Sequence, residues 1–218
     1  MPADEILRYH RPIEHNSMHI YNNHLLNQKK LLLESIEEIK NPLTDFTSRY
    51  FAVGYIQSIA EKDPDIITED VINVLAILLK NEKFAHERNM LVVYIQHENQ
   101  TTIKFDSEPW KLHKELSPNE NDIRIRKKEN NAFFETDLNT MLKENSITKL
   151  FICGLLSNLC VYNTCLGALE FKYETILISD GHSNVSKNPE EKKSQINKKL
   201  EKVGVKCITT NDFIGNSI

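Results

Sequence analysis

From residue 49 onward, short apolar runs rich in β-branched and aromatic residues alternate with longer stretches whose apolar residues recur at helical spacing. The strand-like runs are RYFAVGYI, MLVVYIQ, DIRIRK, KLFICGL, TILISD and VKCITT; between them lie IITEDVINVLAILLKNEKF, TDLNTMLKEN, NLCVYNTCLGALEFK and PEEKKSQINKKLEKV. Strands that alternate with helices pair in parallel, each helix carrying the chain back across the sheet. The pattern therefore predicts an α/β fold, a three-layer α/β/α sandwich with a mainly parallel, roughly six-stranded Rossmann-like sheet. Residues 1–47 do not share it. They are polar and hold one helical pattern, NHLLNQKKLLLESIEEIK, which stops before Asn41-Pro42. The expected division is an N-terminal helical extension over 1–47 and an α/β domain over 48–218.

Composition narrows the partners. Charged residues make up 27% of the 218, yet the net charge is only −4, so there is no basic field for nucleic acid. The opening MPADEILRYH has no apolar signal core, and no apolar run approaches the roughly 20 residues that span a bilayer. A cytoplasmic protein with a small-molecule substrate, no nucleic acid and no membrane partner is expected. Cys153, Cys160, Cys165 and Cys207 form no CxxC pair, and free thiols fit a reducing compartment. His15 and His19 are four residues apart, but no carboxylate or third His stands at a matching offset, so no metal is expected there.

In open parallel sheets, ligands bind beyond the carboxyl ends of the strands. His97, Lys127, Cys160 and Asp180 all lie at or just after such ends. Cys160 has two readings. As packing, it is a small apolar residue where a strand becomes a helix. As a nucleophile it needs help, because a free thiol is only a few per cent ionised near neutrality. The start of NLCVYNTCLGAL would favour the anion through the helix dipole.

Four segments decide between them. Lys127 is followed at a fixed distance by Asn131-Ala132-Phe133 and then Thr136-Asp137-Leu138; ICGLLSNLCV ends in a Gly-turn-Cys-Val step; Asp180, His182 and Ser183 close LISDGHS; and VVYIQHE precedes them. Together, in this order, they resemble the isochorismatase-like cysteine hydrolases, a superfamily that includes nicotinamidases and streptothricin-hydrolase-like enzymes. The resemblance implies a triad of Cys, Lys and Asp. Cys160 and Lys127 take two places, with Lys128 as the alternative if the register slips by one. At the third place, alignment on Gln57 puts Tyr55 where the family has its Asp; a shifted alignment would supply Asp45 instead. A phenol with a pKa of about 10 is a poor base near neutrality, so with Tyr55 in place proton transfer must fall to another group, such as Asp45 or His97, or be lost.

The resemblance also implies a cis peptide and oxyanion-binding backbone at Leu156 and Ser157, substrate contacts from His97 and Phe133, and a structural role for Asp180. Metal-binding members carry an Asp where this chain has Ile95, so neither metal nor cofactor is expected. A homo-oligomer is expected by family analogy. Two functions stay open: a hydrolase that cleaves the C–N bond of a small non-peptide amide through the Cys160 thiolate, or an impaired relative that binds a metabolite or protein through the same pocket. If Tyr55 holds the base position, Tyr55→Asp should raise the hydrolysis rate on small primary amides, since base catalysis is typically worth about 10²–10⁴ in rate. If Asp45 is the base, Asp45→Asn should silence wild-type turnover and Tyr55→Asp should add nothing.

Overall fold

Among the described residues six strands, all parallel, form one sheet in the order β3-β2-β1-β4-β5-β6. The computed structural model describes residues 50–54, 69–184 and 188–215, so the extension over 1–47, Asp45 and Tyr55 lie outside the described residues. The strands are β1 (Tyr50–Gly54), β2 (Leu91–His97), β3 (Ile123–Lys127), β4 (Lys149–Leu155), β5 (Glu174–Ser183) and β6 (Lys206–Ile208). The helices are α1 (Glu69–Glu87), α2 (Leu138–Glu144), α3 (Tyr162–Glu170), α4 (Pro189–Lys202) and α5 (Thr210–Gly215).

Successive strand residues point to opposite faces, and here both faces are covered. Val93, Ile95, Leu150, Ile152 and Leu177 join one core with Leu142 of α2, Cys165 and Ala168 of α3, and Leu200 of α4. The neighbouring residue Phe151 points the other way, to Phe213 of α5 at 4.7 Å between ring centroids, and Phe213 meets Phe84 of α1 at 4.9 Å. Strands buried on both sides read as continuous apolar runs, which explains why VVYI and LFIC show no polar alternation.

The β2–β3 connection, residues 98–122, contains no α-helix, only a short 3-10 turn at Glu108–Trp110. Side chains hold it in place. The buried Glu82 of α1 accepts hydrogen bonds from the Tyr94 hydroxyl and from the Ser117 N–H, the latter at 3.0 Å. Burial pushes the Glu82 carboxyl up, against the lowering effect of those two donors. At the far end, His86 of α1 lies 3.0 Å from Asp122, whose carboxylate also accepts the Asn119 N–H at 2.7 Å.

Two elements depart from expectation. The TILISD strand runs on through Gly181, His182 and Ser183, and its pairing with β4 shifts between Ile152 and Gly154. A side chain at Gly181 would place its Cβ 2.8 Å from Ile178 Cγ2. Only glycine lets the strand fold over itself at that bulge. The second departure is α5. VKCITT was expected to end as a strand, but Thr209 and Asp212 exchange side-chain and backbone hydrogen bonds of 2.7–3.1 Å and start a helix. Asp180 accepts the Thr210 N–H at 2.8 Å and its hydroxyl at 3.0 Å, fixing that helix to the end of β5. Phe213→Ala should cost about 3–5 kcal/mol in urea denaturation, and Thr209→Ala about 1 kcal/mol.

Candidate active site

β2 and β3 run in register so that His97 and Lys127 are direct neighbours at the carboxyl edge. Along β3, Ile125 and Lys127 turn inward while Arg126 turns outward. Arg126 makes a two-pronged ion pair with Glu98, at 2.8 and 3.0 Å, and stacks on the Phe105 ring at 3.7 Å. Lys127 is only 3% exposed. Its Nζ lies 2.7 Å from the Glu129 carbonyl oxygen, 3.1 Å from Cys160 Sγ, 3.4 Å from the Asn130 carbonyl oxygen and 3.4 Å from His97 Nδ1. An ammonium has three N–H bonds for these four partners. Among the described residues, no carboxylate oxygen is in the set.

Cys160 reaches this point from the middle of the sheet. After β4 the chain passes through a cis peptide between Leu155 and Leu156, then a single π turn over Ser157–Val161 that leads into α3. The Leu156 carbonyl accepts the N–H groups of Leu159 and Val161, both at 3.1 Å, and this presents the half-buried Cys160 to Lys127. One helical turn later, on the same face, Thr164 accepts the Ala132 N–H at 3.1 Å. The π turn and the start of α3 thus present the sulfur and hold the loop that follows Lys127. Gly167 belongs to the same fit. The side chain of Asn131 occupies the space a Cβ would need, with Oδ1 2.4 Å from that position. The missing side chain at 167 makes room for Asn131.

Several expectations need correction. The cis bond is Leu155–Leu156, one residue before the expected Leu156–Ser157 step. The Ser157 side chain is fully buried, with Oγ 2.8 Å from His182 Nδ1. His182 Nε2 meets Asn197 Oδ1 at 2.7 Å, and Asn197 donates to the Ser179 carbonyl at 3.2 Å. This chain of bonds ties the π turn to β5 and α4. Phe133 is also turned away. It packs in the core against Tyr173 and Phe171, at 5.8 and 5.3 Å between centroids. Its neighbour Phe134, 52% exposed, instead lines a cleft of about 220 Å³ with Glu98, Lys127 and Glu129. Lys128 is exposed, so the register settles on Lys127. Asn130 went unnoticed in the sequence, although its Oδ1 lies 3.7 Å from Cys160 Sγ. Burial, and then the Lys127 cation, hold His97 below the ordinary imidazole range.

Residues 62–212 match the isochorismatase domain family, more than half of the 218 residues, and the chain belongs to that family. A 74-residue segment, 34% of this chain, is 35% identical to streptothricin hydrolase of Streptomyces noursei and covers 27% of that protein. A 105-residue segment, 46% of this chain, is 30% identical to the isochorismatase family protein YddQ of Bacillus subtilis, covering 58% of it. The chain thus spans less than two thirds of the length of these relatives. The crystal structure of an isochorismatase-like hydrolase from Alkaliphilus metalliredigens superposes with a TM-score of 0.68 at 22% identity, over 77% of this chain and 98% of that one. That likeness shows the fold. Among the described residues, no helix is long and apolar enough to cross a membrane.

The buried His182 generates a pH prediction. Burial lowers its pKa to about 4, against a smaller raising effect from Asn197, with Lys193 and Glu190 the charged groups nearby. The unfolded chain then binds more protons than the folded one between about pH 6.5 and about 4. Stability should be full above that window and fall as pH drops through it, by on the order of 2–3 kcal/mol. In His182→Gln this part of the slope should flatten, as urea titrations at several pH values would read.

Proposed function

We propose that this protein is a cysteine hydrolase that cleaves the C–N bond of a small, non-peptide amide. The observation that carries the reading is the 3.1 Å contact between Lys127 Nζ and Cys160 Sγ, made across two elements that share one sheet edge. A buried ammonium beside the sulfur stabilises the negative charge left when the thiol proton departs. The sulfur adds to the substrate carbonyl, and the amine leaves with a proton. Water then cleaves the thioester, releasing the acid and restoring the thiol. A retained thiol suits this acyl transfer better than enol-ether cleavage, which needs a proton donor more than a nucleophile. Membership of the isochorismatase family and the similarity to streptothricin hydrolase support hydrolysis as the reaction class.

One sequence feature supports a second reading, a binding protein with the same pocket: Tyr55 stands where the family's acid would align. Incubation with a panel of primary amides and mass spectrometry of the Cys160 peptide separates the two. A hydrolase should show an acyl mass on Cys160 and lose all turnover in Cys160→Ala. Turnover that survives Cys160→Ala would remove the thiol mechanism, and no adduct or turnover with any amide would favour the binding protein.

A further inference from the structure

The thiol proton needs a destination, and the cation beside Cys160 cannot provide one by itself. An ammonium already carries three protons, so Lys127 can take a fourth only as it gives one up. Among the described residues four atoms are in reach of Nζ: two are peptide carbonyl oxygens, which are very weak bases, and one is the sulfur itself. The fourth is Nδ1 of His97, 3.4 Å away on the adjacent strand and held level with Lys127 by the sheet register.

We propose that His97 is the proton acceptor of this site and acts through Lys127. The inference rests on the cysteine-hydrolase reading above. In the step, the Cys160 S–H bond breaks and its proton goes to Nζ while a proton already on Nζ passes to Nδ1. Lys127 remains an ammonium, and the charges created are a thiolate on Cys160 and an imidazolium on His97. When the substrate C–N bond breaks, the imidazolium returns a proton through Lys127 to the departing nitrogen. No other reactant is needed.

The surroundings suit the role. His97 is half-buried, and its ring also donates to the backbone carbonyl of Glu129. The ionisable groups that act on it are Lys127 on β3, which opposes its protonation, and Glu129 after β3 and Glu98 after β2, which favour it. The ring is therefore neutral at rest, with acids nearby to support the imidazolium once it forms. Because Nζ has more partners than protons, its bond to His97 can be remade without loss of its bond to the Glu129 carbonyl.

The test reads Cys160 directly and needs no substrate. In the full-length protein, alkylation by iodoacetamide is followed at the Cys160 peptide across the pH range, for wild type, His97→Asn and His97→Gln. The Asn amide oxygen can occupy the place of Nδ1 and hold Lys127, yet it binds no proton. The expected result is an alkylation rate at about pH 7 that is about tenfold lower in His97→Asn, converging with wild type in alkali, where hydroxide removes the proton instead. A His97→Asn profile that overlays wild type would mean that His97 only holds Lys127, and would overturn the proposal. A second readout does not depend on substitution at 97. In imidazole NMR titrations, Cys160→Ala should move the His97 midpoint, because coupled proton sites shift one another; an unmoved midpoint would also overturn it. Failure to trap an acyl group on Cys160 while both effects appear would reject hydrolysis and leave the proton path intact.

Discussion

A primary ammonium buried to 3% exposure must be surrounded by acceptors, and meeting that need organises the carboxyl edge of this sheet. Two carbonyls come from the turn after β3, one imidazole from the end of β2 and one sulfur from the turn after β4. The carbonyls are local to Lys127, but the imidazole and the sulfur lie 30 and 33 residues away. They converge because parallel strands end at the same edge, and because the turn from Glu129 to Ala132 is held against α3 by Thr164. Remove the parallel arrangement, and the cation loses its shell before it loses anything else.

Much of the fold was legible because the strands are buried on both faces. Runs such as LVVYI carry enough β-branched and aromatic residues to be read without any alternation. The parts that were missed are those where local chemistry outweighs composition. Thr209 and Thr210 look like the tail of a strand by β-propensity, yet the Thr209 hydroxyl and the Asp212 carboxylate cap a helix. The pattern TTND was the available signal. The prolongation of β5 depends on Gly181 fitting against Ile178, a tertiary fact that no spacing in TILISDGHS announces.

At the site, residue type and order were enough to pair Cys160 with Lys127, which lie 33 residues apart in sequence. Orientation was harder. The shift of the cis bond by one residue and the choice between Phe133 and Phe134 are both matters of parity, in which adjacent residues point to opposite sides of a turn. The partner of the Ser157 hydroxyl, His182, was equally hard to foresee, because that pairing joins segments 25 residues apart. Asn130 gave no signal because a polar residue in a polar loop resembles any other. Exchange of bulk between Asn131 and Gly167 was equally hidden, since each residue makes sense only beside the other.

The strand order has one further consequence. Cys160 follows β4, an interior strand, whereas Lys127 sits on β3, the outermost strand on its side among the described residues. An outer strand has hydrogen bonds along one flank only, so it frays more readily than an interior one. The two halves of the site therefore differ in support: the sulfur follows an interior strand paired on both flanks, and the cation sits on an outer one. The Arg126–Glu98 fork and the Phe105 ring clamp β3 one residue before Lys127, at the place where fraying would begin to draw the cation away. In amide hydrogen exchange, such a structure would open at the cation's strand well before it opened at the sulfur's.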